Sequence, residues 1–401
     1  MKSGVFIVEA VRTPVGKYAG SLANFRPDDL AAHIIKGLMA KVPHFDPMEL
    51  EDVIFGAANQ SGEDNRNVAR MAGLLAGLPL HVGGVSVNRL CGSGLDAIGT
   101  AFRSIKAGEG DAFIAGGSES MTRAPFVMPK AEGAFGRSPE IYDTTMGWRF
   151  TNKSLSKIHH PYTMGETAEN VAERYRISRE AQDAFAVTSQ QRWADAQAAG
   201  KWTNEIVPVP IPQKKGDAII FDTDEHPRLS TMEALAKLKP AFKEVNGTVT
   251  AGNASGINDG AAATLVVSEA MVLKYNLKPL ARVVSTAVAG VDPAYMGIGP
   301  VSATQKAVSR AGLNMKDIGL IELNEAFAAQ ALACMRDLEL NPEIVNVNGG
   351  SIAIGHPLGA SGARITATLL HEMQRRTNVQ YGLATMCIGV GQGIAVVYEK
   401  C

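Results

Sequence analysis

Only 4 cysteines, Cys91, Cys334, Cys387 and Cys401, punctuate a chain of 401 residues, and no two of them form a close Cys-x-x-Cys pair. That excludes a disulfide-stapled scaffold and gives no sign of a bound metal; the thiols are expected to be reduced. Charge of either sign is not in excess: 39 basic residues face 40 acidic ones. No global field then draws nucleic acid or an anionic membrane surface, and any anionic ligand has to be held locally. No apolar run approaches the roughly 18 residues of a membrane span, and the opening run at 5–8 is too short for a secretory signal. A cytoplasmic protein without membrane insertion is expected. A Gly-x-x-x-x-Gly-Lys-Ser/Thr phosphate loop is missing, as is a strand-glycine-acid dinucleotide pattern, which disfavours kinase and dehydrogenase chemistry.

With 46% hydrophobic and 20% charged residues the composition is that of a compact globular enzyme, and the length suggests two or three domains. Short apolar runs at 5–8, 53–55, 84–87 and 112–115 alternate with helical patterns, which predicts an α/β layered domain. Leu95, Ile98, Ala101, Phe102 and Ile105 recur at helical spacing before Gly108, so Cys91 sits just ahead of a helix. The C-terminal part repeats the plan: strand 320–323, helix 325–338, strand 344–347, helix 361–373, then strands 383–386 and 394–398 around a glycine-rich turn at 389–393. An internal duplication follows from matching Val85-Ser86-Val87-Asn88, Ser93-Gly94 and a helix with Val345-Asn346-Val347-Asn348, Ser361-Gly362 and a helix. The second copy carries an insertion, 349–356, which brings His356 beside the turn that in the first copy brings Cys91. From about 121 to 250 the alternation fails, and helical stretches at 168–174 and 181–194 stand among prolines and scattered charge; this predicts an inserted lid or loop domain.

Candidate chemistry gathers in the glycine-rich strings. Cys91 precedes a helix N-terminus, where unpaired N–H groups and the helix dipole would favour a thiolate; Gly92 and Gly94 let a substrate approach, and the Cys91 N–H could serve an oxyanion. His356, in Gly355-His356-Pro357-Leu358-Gly359, could take the thiol proton, or be a hydrogen-bonded structural histidine. His159 and His160 lack such a glycine frame and read as structural. Cys387, within Met386-Cys387-Ile388-Gly389-Val390-Gly391, could move a proton beside a thioester, or be incidental to a tight hairpin. Asn324 is either the N-cap of the helix starting at Glu325 or the holder of a water near a developing oxyanion. The string 116–121 reads as the close of a strand, or as part of the wall of the same cavity. Ser255 lies in the small-residue run 251–260, which suits a slender ligand arm or close helix packing; Cys334 reads as packing and Cys401 as surface.

The strings 88–94, 250–260, Asn324-Glu325-Ala326-Phe327, 349–364 and 387–393, spread over essentially the whole chain, resemble the thiolase family. The resemblance implies a five-layer αβαβα fold from two duplicated halves with an inserted loop domain: 1–121 plus 250–272 and 273–401 as the halves, 122–249 as the loop domain over coenzyme A. It also implies a homotetramer built from dimers, coenzyme A as substrate and no tightly bound cofactor. By residue, it implies Cys91 as the acyl-accepting nucleophile, His356 as its base and Cys387 as the acid/base at carbon. Asn324, through a water, and His356 would form one oxyanion hole, and the N–H groups of Cys91 and Gly389 the other. Met164, Phe242, Ala251, Gly252, Ser255 and Phe327 match the pantetheine channel. Arg228 falls near a nucleotide-binding arginine, one residue short of the biosynthetic spacing to Phe242. Thr163 replaces a histidine of biosynthetic members, whereas 62–70 and 143–150 are similar to degradative thiolases, including those acting on 3-oxoadipyl-CoA. The expected activity is reversible cleavage of 3-oxoacyl-CoA by coenzyme A. The alternatives are an acetoacetyl-CoA-forming acetyltransferase, a ketoacyl synthase, whose pattern pairs one Cys with two His, and a non-catalytic acyl-CoA or lipid carrier.

Overall fold

The computed structural model describes residues 4–401. Along the first half run β1 (Val5–Arg12), α1 (Pro27–Lys41), β2 (Asp52–Gly56), α2 (Val68–Ala76), β3 (Gly83–Val87), α3 (Ser93–Ala107) and β4 (Ala112–Ser120). A long connection carrying α4 (Met164–Tyr175) and α5 (Arg179–Ala198) leads back to β5 (Asn258–Ser268). The second half runs through β6 (Ala281–Gly290), α6 (Gly299–Ala311), β7 (Ile318–Leu323), α7 (Ala328–Asp337), α8 (Leu358–Arg375), β8 (Tyr381–Ile388) and β9 (Gln392–Lys400).

Strand order is β3-β2-β4-β5-β1 in the first half and β6-β9-β8-β7 in the second. The halves join edge to edge through Phe6 with Arg282 and Ile7 with Ala281. Each half has the same pairing plan: β2 is parallel to β3 and β4, β7 is parallel to β8, and the remaining neighbours are antiparallel. The missing fifth position beside β7 is held by one residue, Val345, in a parallel bridge to Ile321. Strands alternate their apolar side chains between two cores because successive residues point to opposite faces. Phe55 joins Leu30, Ile34 and Leu38 of α1 on one outside; Ile54 joins Leu95 and Ile98 of α3 and Ile365 and Leu369 of α8 in the middle. Val396 faces that middle layer too, and Val397 meets Ala303 of α6 and Cys334 of α7 on the other outside. Helices, sheet, helices, sheet, helices: these are the five layers expected.

Two local expectations fail for identifiable reasons. Residues 344–347 do not form a strand: Asn346 takes φ +46°, and its side chain accepts from Leu323 N (2.9 Å) and donates to Leu323 O (2.8 Å), satisfying backbone groups that a ladder would have used. The helix expected from 325 starts at Ala328 with Phe327 before it, so Asn324 is not an N-cap; its N–H instead continues the sheet onto Thr385 O at 3.0 Å. The string 116–121 does close a strand as expected: 116–120 is the final part of β4, paired along its length with β5.

The connection 121–257 joins β4 to β5, a step that the second half makes with the three residues between β8 and β9. It is pinned to β1 by a buried ion cluster in which Arg12 meets Glu205 at 2.5 Å and Asp224 at 2.7 Å.

Candidate active site

Cys91 is held by a tight turn between β3 and α3. Leu90 takes φ +46°, and Ser93 Oγ accepts from Arg89 N at 2.9 Å and donates to Leu90 O at 2.6 Å. Asn88 ties the turn to the end of β2 by donating to Ala58 O at 3.0 Å. A Cβ on Gly92 would stand 2.6 Å from Ile388, so this turn lies directly on the one that follows Cys387. The N–H groups of Gly389 and of Cys91 itself point at the Cys91 sulfur.

His356 enters from the segment leading into α8. Its N–H donates to Asn258 Oδ1 at 2.9 Å, and Gly359, three residues on, donates to the buried Glu119 at 2.7 Å. Nδ1 lies 2.6 Å from Ser361 Oγ, while Ser361 donates its single hydroxyl proton to Pro357 O at 2.8 Å. Nδ1 is therefore the protonated nitrogen, and Nε2 carries the lone pair. Nε2 faces the Asn324 amide nitrogen at 3.5 Å.

Cys91, His356 and Cys387 line one cavity of about 690 Å³, together with Met164, Arg228, Phe242, Ala251, Ser255 and Phe327. Asn324 lies behind His356, Gly389 meets the site through its N–H, and Gly252 lines an adjoining depression with Ala251 and Arg228. The Arg228 guanidinium donates to Ala251 O at 2.8 Å. The wall is apolar where Cys387 packs with Ala254, Met296, Ala326 and Phe327. Met121, at the end of the string 116–121, lines the cavity as one reading of that string had it, whereas sequence reasoning did not assign Lys17, Tyr18, Met146, Glu225, His226 and Leu358, all of which also line it. Met146 and Leu358 lie in the strings 143–150 and 349–364, and Glu225 and His226 in the unusual run 224–228, Asp-Glu-His-Pro-Arg, inside the irregular region. Among the described residues, no three His, Cys, Asp or Glu side chains gather as a metal site, and no helix is long and apolar enough to cross a membrane.

Burial sets the protonation of these groups. The Cys91 thiol is pushed up to about 11, because desolvation and then Glu119 outweigh the two N–H groups. The resting nucleophile is thus a thiol, not the thiolate that its place before a helix led us to expect, and a base must take its proton. Burial, with Arg364 adding to it, pulls His356 down to about 3, so its Nε2 is free to accept. Cys387 is driven well above the ordinary thiol range by burial and by the proximity of Cys91 and Cys334. A neutral thiol, a neutral imidazole and a second protonated thiol around an apolar slot form a constellation for covalent acyl transfer coupled to proton transfer at carbon. A lone cysteine in a core would need neither partner.

Thr163 serves to start a helix. Its hydroxyl accepts from Glu166 N at 3.3 Å and Glu166 returns the bond to Thr163 N at 2.7 Å, a capping box that opens α4 and aims Met164 at the cavity.

The model of the thiolase N-terminal domain matches residues 5–270 and that of the thiolase C-terminal domain residues 277–400. A beta-ketoadipyl-CoA thiolase of Acinetobacter baylyi is 56% identical over 398 residues, covering 98% of this chain and 99% of its own. The 3-oxoadipyl-CoA/3-oxo-5,6-dehydrosuberyl-CoA thiolase of Escherichia coli K12 is also 56% identical, with the same coverage. Human mitochondrial 3-ketoacyl-CoA thiolase, solved in complex with CoA, superposes with a TM-score of 0.92 at 43% identity, covering 100% of this chain and 98% of that one. With both domain models spanning nearly all of its length, and two thiols and an imidazole around one slot, the chain belongs to the thiolase family and is an acyltransferase.

Proposed function

We propose that this thiolase cleaves 3-oxoadipyl-CoA with coenzyme A, giving acetyl-CoA and succinyl-CoA. The observation that carries the chemistry is the convergence of Cys91, His356 and Cys387 on one cavity. Cys91 Sγ attacks the 3-keto carbon while His356 Nε2 takes the thiol proton. The C2–C3 bond breaks, Cys387 gives its proton to the departing carbon of acetyl-CoA, and the acyl group stays on Cys91. The thiol of coenzyme A gives its proton to the Cys387 thiolate and attacks that acyl-enzyme; Cys91 leaves and takes back the proton held by His356, so that shortened acyl-CoA departs and both thiols are restored. The N–H groups of Cys91 and Gly389 serve the oxyanion at the acyl carbon; Asn324, through a water, and protonated His356 serve the one on the leaving thioester. Met164, Phe242, Ala251, Gly252, Ser255 and Phe327 hold the pantetheine arm and Arg228 lies toward the nucleotide, with 122–249 as the covering domain.

Support for the dicarboxylic substrate comes from the two full-length relatives and from how the strings shared with degradative members pack. Asp64 accepts from Gln60 N at 2.8 Å, Thr144 accepts from Asn59 Nδ2 at 3.1 Å, and Arg149 donates to Asn59 O at 3.2 Å. The strings thus meet around one loop beside the cavity, into which they send Met146. A cytoplasmic homotetramer is the setting we infer. An acetoacetyl-CoA-forming role is less supported, since Thr163 is engaged in a helix cap.

The test is steady-state thiolysis of 3-oxoadipyl-CoA against acetoacetyl-CoA, with mass spectrometry of the acyl adduct on Cys91. A kcat/KM at least tenfold higher for 3-oxoadipyl-CoA is expected. Cys387→Ala should accept an acyl group from acyl-CoA at Cys91 yet lose roughly 10²–10⁴-fold in condensation, the usual range for a lost acid or base. Equal loss of both half-reactions in the folded variant would contradict the division of labour.

A further inference from the structure

A line of buried polar groups runs away from His356 into the protein, and the acyl-transfer steps above leave most of it unused. Arg364, on α8, donates from Nη2 to Ser351 Oγ at 2.6 Å. Ser351 Oγ in turn lies 2.6 Å from Asn324 Oδ1, and Asn324 Nδ2 lies 3.5 Å from His356 Nε2. All four residues are buried. The direction of each bond is forced: a guanidinium can only donate, so Ser351 accepts from Arg364 and spends its single proton on the amide oxygen. Asn324 is thereby held with its oxygen turned inward and its NH₂ toward His356.

Arg364 has little else to hold it. Among the described residues its Nε and Nη1 find no hydrogen-bond partner, and the nearest carboxylate, Glu322, stands 3.9 Å away. Glu322 is itself pushed up to about 8 by burial, so it offsets the guanidinium only in part at neutral pH. A buried cation with two unspent donors is costly to keep for packing alone. What it does accomplish is the orientation of Ser351.

Granting the roles given to Asn324 and His356 above, we propose that Arg364 and Ser351 are positioning residues that lock the Asn324 amide, so that its NH₂ and not its carbonyl oxygen faces the water that serves the developing oxyanion. A flipped amide would turn an acceptor toward that water and toward the lone pair of His356 Nε2, and the donor that orients both would be lost. Neither side chain touches substrate; both act through Asn324.

The experiment is a double-mutant cycle in full-length enzyme: wild type, Asn324→Ala, Ser351→Ala and the pair, read as kcat and KM for 3-oxoacyl-CoA thiolysis, with a thermal melt of each. Removing one oxyanion donor typically costs about 10²–10³-fold in kcat, so Asn324→Ala should fall in that range and Ser351→Ala about 10–100-fold. KM for coenzyme A should stay within twofold. The signature is non-additivity: Ser351→Ala adds no further loss once Asn324 is gone, and Ser351→Thr, which keeps the hydroxyl, restores activity. Should Ser351→Ala fail to fold, Ser351→Cys, with nearly the same volume and a weaker donor, carries the same test. Losses that multiply in the pair, or a Ser351→Ala enzyme with full kcat beside an impaired Asn324→Ala, would overturn the positioning role and leave the acyl-transfer scheme standing. An active wild type with an unimpaired Asn324→Ala would overturn both the oxyanion role of Asn324 and the relay built on it, while an inactive wild type would strike the assigned substrate.

Discussion

Gly362→Ala tests whether the contact between the two central helices sets the geometry of the site. An alanine in a helix interior is intrinsically favoured over glycine by about 1 kcal/mol, so any loss has to come from the neighbours. Here the new Cβ would stand 2.1 Å from the backbone nitrogen of Leu95 and 2.6 Å from its Cβ, against ordinary contact at 3.4 Å or more. Backbone cannot swing aside as a long side chain can, so α3 and α8 must separate by about 1.3 Å at that point. Cys91 lies two residues before α3 and His356 two residues before α8, so the shift is delivered to the groups that must meet. Misplacement by about 1 Å can cost on the order of 10²-fold in rate, and overpacking costs about 1–3 kcal/mol in stability. We therefore expect kcat/KM for 3-oxoacyl-CoA thiolysis to drop about 100-fold, with a lowered urea midpoint but a folded protein. Gly319→Ala, whose Cβ would meet Val379 at an acceptable 3.4 Å, is the control and should be near neutral. A Gly362→Ala enzyme with wild-type kcat/KM and midpoint would refute the claim that this helix contact fixes the site.

Three further outcomes follow from charge. Because His356 is held down at about 3, the rate of Cys91 acylation should show no acid limb from this residue between pH 5 and 7.5; a limb near pH 6.5 that vanishes in His356→Asn would contradict it. The same depression stabilises the fold above pH 6.5, the unfolded value, and that contribution is lost as pH falls toward 3, amounting to about 2 kcal/mol by pH 5, so urea titrations of His356→Asn should lose this part of the slope. Arg12→Met leaves Glu205 and Asp224 buried without their cation and should destabilise by about 3–5 kcal/mol in urea unfolding, where an unchanged midpoint would show the cluster to be dispensable.

How much of this was legible in the sequence depended on whether a signal was local. The alternation of apolar runs marks the strands and helices of the first half because each burial stripe repeats within a few residues, and Gly108, at φ +84°, closes α3 where expected. The duplication shows through short strings at the ends of strands. What failed was set by long-range contacts. Val345-Asn346-Val347 has a strand pattern, yet the Asn346 side chain takes both polar groups of Leu323 and turns the chain away. Asn324 has the residue type and place of a helix cap, but the sheet claims its backbone and Ser351 its side chain. The Cys91 thiol shifts in the direction opposite to the one its position suggests, since desolvation outweighs the N–H groups that favour the thiolate at this turn. Lys17, Tyr18 and His226 reach the cavity from segments over 100 residues apart, without a motif in common.

The placement of chemistry in the fold has its own reason. Strand ends and helix starts are where backbone N–H groups are left without partners, and a sheet face offers none. Cys91 follows β3, Asn324 follows β7, Cys387 closes β8, and His356 precedes α8, so every chemical group sits at such a junction. A single βαβ unit supplies one such end, enough for one oxyanion. Acyl transfer with carbon–carbon cleavage needs two, at the acyl carbon and at the departing thioester, and two copies packed through α3 and α8 bring two ends to one slot. Identical copies would supply the same group twice. The segment 349–356 gives the second copy a histidine where the first has a cysteine. The β4-to-β5 connection grew into 121–257, while its counterpart between β8 and β9 stayed three residues long and set the Gly389 N–H against the Cys91 sulfur. The differences between the halves, more than their likeness, therefore make one active site out of two copies of a fold.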